Sequence, residues 1–435
     1  MSGGLTMGSA VQLKRNFYDM PNFCSVPWTE GYTTTVGTYG VCCLENSDFN
    51  QHKVTIAEPM QQHWNGQYIK QMRQSFVDGQ RPPQCQVCWK DDDSNKQSMR
   101  QRRNQRYLGQ FDPDVNDPAV QKLLEKTRDD GHTDLLPRGF NFSTGNTCQL
   151  RCIECSPTYS RSIIKDYQKL QWSDSFKTRR DPKTFDMILD QALIDKNLWP
   201  MLKNICANLE WLQITGGEPT ISKPLFEFLK WCVDQGYSQN LSLMINTNAV
   251  NIKPDFIAVL QKFRTVIFGL SVDGYGPLDE YIRYPTNWAK KESLIHQLML
   301  LFPYSSINMA VSSLNINKID DMLDWVLDQG YLFNPMIVSR PDNLSCHHLP
   351  LDLKDHAREI LQHYQEKLHE TIKPGGLEKF RQEDFMYNAL GGLTNYLDLP
   401  RDESVWQQSL DIMRSYDTIR SRSIGNLNPQ LSKYL

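Results

Sequence analysis

The sequence predicts an α/β fold in which six βα units form a parallel sheet, open or curled into a partial barrel. A small cysteine-rich β-hairpin module precedes the units and a helical extension follows them. Two observations carry this expectation. From about residue 138, short apolar strands alternate with amphipathic helical patterns. Before that point, "CSVPWTEGYTTTVGTYGVCCLEN" alternates β-branched residues around glycines, the pattern of a hairpin.

The expected strands are "GFNFS" (139–143), "LEWLQIT" (209–215), "LSLMINT" (241–247), "TVIFGLSVDG" (265–274), "INMAVSS" (307–313) and "NPMIVS" (334–339). Between them, "KPLFEFLKWCVDQG" and "KIDDMLDWVLDQG" read as helices, each with a glycine at its end. At 435 residues the chain exceeds one ordinary core, so it divides into parts. Residues 1–20 are expected to be disordered, 21–107 to form the cysteine-rich module, and 108–137 to link it, with a short helix, to the βα units at 138–345. Residues 346–435 turn helical, with runs such as "DLKDHAREILQHYQEKLHE". Within the module, "MQQHWNGQYIKQMRQSF" places Trp64, Ile69, Met72 and Phe76 near helical spacing. The charged stretch 91–106 ends in Arg100, Arg102, Arg103 and Arg106 and reads as a polar helix or linker. Without interleaved aromatics it is a poor nucleic-acid signal.

Composition narrows the function classes. Apolar residues at 40% and charged ones at 22% describe a globular protein, and a net charge of -3 gives no general pull toward nucleic acid or an anionic membrane. No stretch approaches the ~18 apolar residues of a membrane span. The start, "MSGGLTMGSA", lacks a basic and apolar targeting pattern, so a cytoplasmic location is expected. Eleven cysteines fall mostly in tight groups, the usage of metal ligands rather than of a secreted disulfide framework. Cys206, Cys232 and Cys346 stand apart among apolar residues and are expected in the core.

"CQLRCIEC" (148–155) follows the first βα strand, at the strand end where α/β proteins build their sites. A tetrahedral zinc site needs four ligands, and no neighbouring histidine or fourth cysteine completes one. Iron-sulfur clusters also take thiolates, and three cysteines leave one of four irons open to a substrate or cofactor.

With Cys148, Cys152 and Cys155 spaced C-x3-C-x2-C after the first strand, the chain resembles the radical S-adenosylmethionine (SAM) enzymes. "ITGGEPT" at the second strand is similar to that family's GGEP motif, through Gly216, Gly217, Glu218 and Pro219. "INTNAV" and "GLSVDG" are similar to its TNG and SxDG regions, and Arg283 in "DEYIRYP" stands where relatives hold the SAM carboxylate. The resemblance implies a partial (β/α)6 TIM-like barrel and a SAM-binding 4Fe-4S cluster on the three cysteines. It implies SAM contacts from Gly216, Gly217, Glu218, Pro219, Asn246, Asn248, Ser271, Asp273 and Arg283. SAM would be cleaved to methionine and a 5′-deoxyadenosyl radical that abstracts hydrogen, with electrons from a donor such as flavodoxin or ferredoxin. One departure is Glu154, where the family usually has an apolar residue beside the adenine.

The N-terminal series "CSVPW…GVCC…CQVC" resembles the SPASM or twitch modules of the same enzymes, here placed before the core. That resemblance implies an auxiliary 4Fe-4S cluster on Cys24, Cys42 or Cys43, Cys85 and Cys88. Adjacent side chains on a strand point to opposite faces, so one of Cys42 and Cys43 is expected to reach it. A zinc ribbon fits the same spacing. The ending "MRSYDTIRSRSIGNLNPQLSKYL" is similar to that of phage and bacterial twitch-domain radical SAM proteins. A peptide or protein is the first expected substrate class, and a small metabolite or nucleotide the second. A zinc-dependent nucleic-acid or protein binder and a radical SAM scaffold that no longer cleaves SAM are the other readings.

Overall fold

The computed structural model describes residues 22–46, 54–93, 97–113, 117–170, 191–371 and 377–435. The expected disordered start therefore lies outside the described residues. The elements, in chain order, are β1 (Glu30–Thr33), β2 (Tyr39–Gly40), α1 (Gln67–Val77), α2 (Gln86–Asp93), α3 (Met99–Leu108), α4 (Pro118–Glu125), β3 (Gly139–Ser143), α5 (Gln191–Ile205), β4 (Trp211–Thr215), α6 (Lys223–Asp234), β5 (Ser242–Thr247), α7 (Pro254–Leu260), β6 (Thr265–Ser271), α8 (Pro277–Ile282), α9 (Trp288–Leu301), β7 (Ser306–Val311), α10 (Ile319–Gln329), β8 (Leu332–Ile337), α11 (Leu351–Thr371), α12 (Leu377–Leu397) and α13 (Glu403–Arg420). One-turn helices are named by residue where needed.

The strands are hydrogen-bonded in the order β2-β1-β3-β4-β5-β6-β7-β8. This is the α/β architecture of a partial (β/α)6 barrel, with a hairpin before it and helices after it. The sequence leads to six core strands, and the hairpin adds two more. β1 pairs antiparallel with β2 and parallel with β3, Gly31 facing Phe140 in register. That register needs a glycine, because a Cβ on Gly31 would lie 2.3 Å from the Phe140 ring.

Two compact units are present, and each is described by itself. Among the described residues, the first takes in residues up to 143 with segments 191–213 and 231–242, and the second takes in 144–170, 214–230 and 243–435. In the first, Phe23, Trp28, Ile69, Met72, Phe76, Trp89 and Val120 form the core. The expected amphipathic stretch is two helices, Met60–Trp64 and α1, interrupted at Asn65 and Gly66, with all four predicted apolar residues buried. Arg73, on the same face, is also buried. It donates to the Pro27 and Gly131 carbonyls and to Asn65 Oδ1.

α3 begins with a capping box between Ser98 and Gln101. Two of its arginines, Arg100 and Arg103, face inward, while Arg102 and Arg106 are exposed. Arg100 pairs with Asp92 and Asp112, Arg103 with Glu30, and Arg106 lies 3.7 Å from the Trp211 ring centroid. Cys206 and Cys232 are buried in this unit with sulfurs 3.8 Å apart, and Cys346 is buried in the other.

In the second unit β5 alternates strictly. Leu243, Ile245 and Thr247 are buried while Ser242, Met244 and Asn246 are partly open. On the buried face, Phe268 of β6 meets Phe302 edge-on at 5.3 Å. Each such buried side chain contributes about 1.5–3 kcal/mol, so this face fixes the register that delivers the strand ends to the site. No helix among the described residues is long and apolar enough to cross a membrane.

Candidate functional site

The three-cysteine loop leaves β3 and is held along its length. Gly217 N–H donates to Gly145 O at 2.7 Å and Glu218 N–H to Thr147 O at 2.9 Å. The Ser162 and Ser160 hydroxyls donate to Cys148 O and Leu150 O, each at 2.6 Å. Arg151 N–H donates to Tyr284 O at 2.6 Å and Ile153 N–H to Ile282 O at 2.9 Å, so the loop is strapped to the segment that carries Arg283. Cys152 is buried, while Cys148 and Cys155 are half-buried. Burial pushes the Cys148 and Cys152 thiols up, and Arg283 pulls both the other way. Loop geometry thus places a guanidinium beside thiols that would be costly to ionise alone.

The two glycines of "GGEP" lie against the backbone of the cysteine loop. Gly216 has φ +130°, and a Cβ there would sit 2.7 Å from Thr144 Oγ1. A Cβ on Gly217 would sit 2.3 Å from Thr147 O. Both positions are small because the backbone of the cysteine loop lies against them. Gly217→Ala is therefore expected to displace residues 145–148, costing about 1–3 kcal/mol and lowering metal uptake, which a melting curve and metal analysis would read. Unchanged stability and uptake would count against this packing role. Pro219 is buried and opens the turn Pro219–Ile221, with Glu218 as its cap.

Glu218 is almost wholly buried, and its carboxylate joins two strand ends. Oε1 accepts from Thr220 N–H at 3.0 Å, Thr220 Oγ1 at 2.6 Å and Thr247 Oγ1 at 2.7 Å, and Oε2 accepts from Asn248 N–H at 2.7 Å. Oε2, with one bond, keeps capacity for another donor. Asn248 in turn points its Nδ2 at Cys148 Sγ, 3.8 Å away, and its Oδ1 accepts from Gln149 Nε2 at 3.3 Å. Thr220 and Thr247 were not among the residues the sequence singled out. Only their nearness to Glu218 and Asn248 in the chain hints at them.

Asp273 and Arg283, both expected to face SAM, pair with each other. Asp273 Oδ2 accepts from Arg283 Nη1 at 2.5 Å, and Asp273 Oδ1 accepts from Ala310 N–H at 2.9 Å. Asp273 is buried, so it acts as a strut for the guanidinium, whose charge pulls the Cys152 thiol down against its burial. Below it, Asp279 accepts from Asp273 N–H at 3.0 Å and from Lys291 Nζ at 2.7 Å, in a pair buried on both sides. Ser271 ends β6, in register with Asn308 of β7. Asn246 Oδ1, Gln149 Oε1 and Arg283 Nε are buried with no hydrogen-bond partner among the described residues. Two acceptors and one donor are thus left for a ligand at this strand end. Glu154, beside Cys155, is partly buried.

In the first unit, Cys24, Cys42, Cys85 and Cys88 line one cavity with Val26, Phe76, Trp89 and Met99. Burial pushes the Cys24 thiol up to about 12 and raises the other three as well. Cys24 feels Cys88, Cys85 feels both of them, and Cys42 feels Cys85 and Cys24. Cys43 is not part of this lining. Its charged neighbours are Arg103, Glu30 and Arg102. Trp89 closes one wall, its indole N–H donating to Pro82 O at 2.8 Å.

Among the described residues, Asp342, His347 and His348 bring three metal-type donors within 4.8 Å of one another. His348 Nδ1 accepts from Asp402 N–H at 3.1 Å, and its Nε2 lies 3.1 Å from Asp342 Oδ1. Both ring nitrogens are used, so this group secures the start of α13 rather than offering a metal a lone pair.

No protein-family profile matches the chain, and no curated protein does. Among solved structures, it is similar to native anSMEcpe with bound AdoMet and Cp18Cys peptide, at 14% identity and a TM-score of 0.37 over 54% of this chain and 62% of that one. It is also similar to Streptococcus suis SuiB bound to S-adenosylmethionine, at 16% identity and 0.39 over 66% and 60%. For SuiB bound to its precursor peptide SuiA the values are 15% and 0.38 over 71% and 64%. The chain spans less than two thirds of each of these structures.

Proposed function

We propose that the chain is a radical SAM enzyme, with a 4Fe-4S cluster on Cys148, Cys152 and Cys155 and an auxiliary 4Fe-4S cluster on Cys24, Cys42, Cys85 and Cys88. The observation that carries this reading is the junction at Glu218. One carboxylate ties the GGEP turn to Thr247 and Asn248, and Asn248 reaches Cys148 Sγ. Cys148, Cys152 and Cys155 would hold the cluster, which when bound would supply the reducing electron for SAM cleavage and so the means to abstract hydrogen from a substrate.

The residues present fit such a group. Arg283, fixed by Asp273, offsets the negative charge of the thiolates. Gln149 Oε1 and Asn246 Oδ1 are buried acceptors suited to an ammonium, and Arg283 Nε is a buried donor suited to a carboxylate. Glu218 Oε2 adds one more acceptor position. Thiols pushed up by burial become thiolates only with a cation beside them, which fits a metal in both places.

Zinc is less well supported. A tetrahedral site with Zn–S near ~2.3 Å draws its sulfurs to about 3.8 Å apart. Among the described residues, Asp342, His347 and His348 are the three-donor group gathered within 4.8 Å, and neither thiol group is so contracted. Arg100 and Arg103 of α3 are buried in ion pairs, which takes two of its four arginines away from a nucleic-acid reading. As substrate we propose a peptide or protein, on the likeness of the cysteine module to those of peptide-modifying radical SAM enzymes. A flavodoxin or ferredoxin in the cytoplasm is the proposed electron donor.

Deoxyadenosine formation from SAM by the anaerobically reconstituted chain, with dithionite as reductant, tests the reading. The auxiliary site has its own test. Cys85→Ala and Cys42→Ser are expected each to lower iron by about four atoms per chain while SAM still binds, and Cys43→Ser is expected to leave iron unchanged. Equal iron in Cys85→Ala and the unaltered chain would remove the auxiliary cluster.

A further inference from the structure

We propose that Arg420, at the end of α13, is a positioning residue for the three-cysteine loop, which makes the C-terminal helical region part of the candidate site. The proposal rests on the radical SAM reading for its meaning, but its geometry stands without it.

The Arg420 side chain is fully buried. Nη2 donates to Arg151 O at 2.5 Å and Nη1 to Ile282 O at 3.3 Å. Arg151 lies between Cys148 and Cys152, and Ile282 precedes Arg283. The two segments that carry these residues already meet through the backbone bonds from Arg151 N–H to Tyr284 O and from Ile153 N–H to Ile282 O. One guanidinium therefore clamps, from below, the strap that sets the cysteines against their arginine. Its fork geometry allows this, since a single planar group reaches two carbonyls.

Charge and packing hold the clamp in place. Asp166, also fully buried, pairs with Arg151 and lies 3.7 Å from Arg420, so one carboxylate balances two guanidinium groups. The rings of Tyr281, Tyr284 and Tyr416 surround the Arg420 guanidinium with centroids 4.8–5.6 Å from it. α13 itself is pinned at both ends. Asp402 caps its start and donates its own N–H to His348, and at the far end Tyr281 Oη donates to Asp417 Oδ1 at 2.6 Å. The Arg422–Glu280 pair beyond the helix, by contrast, is a solvent-exposed ion pair of the kind that contributes little. A helix held this way presents Arg420 at a fixed height under the loop.

The test compares Arg420→Ala, Arg420→Lys and the surface control Arg422→Ala in the full chain, before and after anaerobic reconstitution. Amide exchange of the segments 148–155 and 280–284 is read before reconstitution, and iron content and the electron paramagnetic resonance signal of the reduced site after it. Arg420→Ala is expected to speed exchange in both segments roughly tenfold or more, while α10 and β7 exchange as before. Arg420→Lys keeps the charge but reaches one carbonyl, so it too is expected to exchange faster and to show an altered signal. Arg422→Ala is expected to match the unaltered chain.

Wild-type exchange in Arg420→Ala would overturn the proposal, as would an Arg420→Lys variant identical to wild type, which would reduce the role to charge balance for Asp166. A uniform rise in exchange across the second unit would also overturn it, because that marks a general loss of stability. If the unaltered chain takes up no iron at Cys148, Cys152 and Cys155, the radical SAM reading fails, and the exchange data still decide the clamp.

Discussion

Cys152→Ala is expected to reduce deoxyadenosine formation to background and to lower iron by about four atoms per chain, leaving the auxiliary site filled. Of the three loop cysteines it is the most buried, and the Arg283 charge works against the upward push of that burial. Its loss removes one of the three thiols proposed to hold the cluster. The fold should survive. The loop is secured by backbone bonds from Gly217 and Glu218 to residues 145 and 147, by its own bonds to 282 and 284, and by the Ser160 and Ser162 hydroxyls, none of which involves the Cys152 sulfur. Undiminished SAM cleavage in this variant would remove the proposed site.

Glu218→Ala should have the next largest effect, and it should act through structure. Four donors lose their acceptor at once: Thr220 N–H and hydroxyl, the Thr247 hydroxyl and Asn248 N–H. Leaving such groups buried and unpaired costs about 1–3 kcal/mol each, partly relieved by water entering the gap, so a net loss of about 3–5 kcal/mol is expected from denaturant unfolding. Glu218→Gln keeps the volume but turns an amide donor toward Asn248 N–H or toward the threonines, and is expected to cost about 1–3 kcal/mol. Both variants should disturb Asn248 and with it the contact to Cys148 Sγ. A Glu218→Ala protein as stable as the parent would contradict the junction described here.

How much of this was legible in the sequence follows from how local each cause is. β3 coincides with its expected span, and the other five core strands overlap theirs, because each is a short apolar run bounded by turn residues. "TVIFGLSVDG" runs past the end of β6 at Ser271, and the remaining residues carry Asp273 into the site. The parallel addition of β1 to β3 was not legible, since it depends on Gly31 meeting Phe140 across more than a hundred residues.

The site shows the same division. Cys148, Cys152, Cys155 and Glu218 were named from motifs, and so were Asp273 and Arg283, but their pairing with each other was not expected. Cys42 and Cys43 are adjacent, and it is Cys42 that lines the cavity with Cys24, Cys85 and Cys88, an arrangement that depends on residues distant in the chain such as Phe76 and Trp89. Arg420 lies far from the cysteine loop in the chain and carries no local signal. A buried arginine and a surface arginine look alike in a helix such as α13. The inward arginines of α3 make the same point, because their partners Glu30, Asp92 and Asp112 come from three separate segments.

The most direct test of the central claim is the metal and sulfide content of the anaerobically reconstituted chain, measured together with SAM cleavage under dithionite. Two 4Fe-4S clusters predict about eight irons and about eight sulfides per chain, with deoxyadenosine formed from SAM. About two zinc ions per chain, no sulfide and no deoxyadenosine would contradict it.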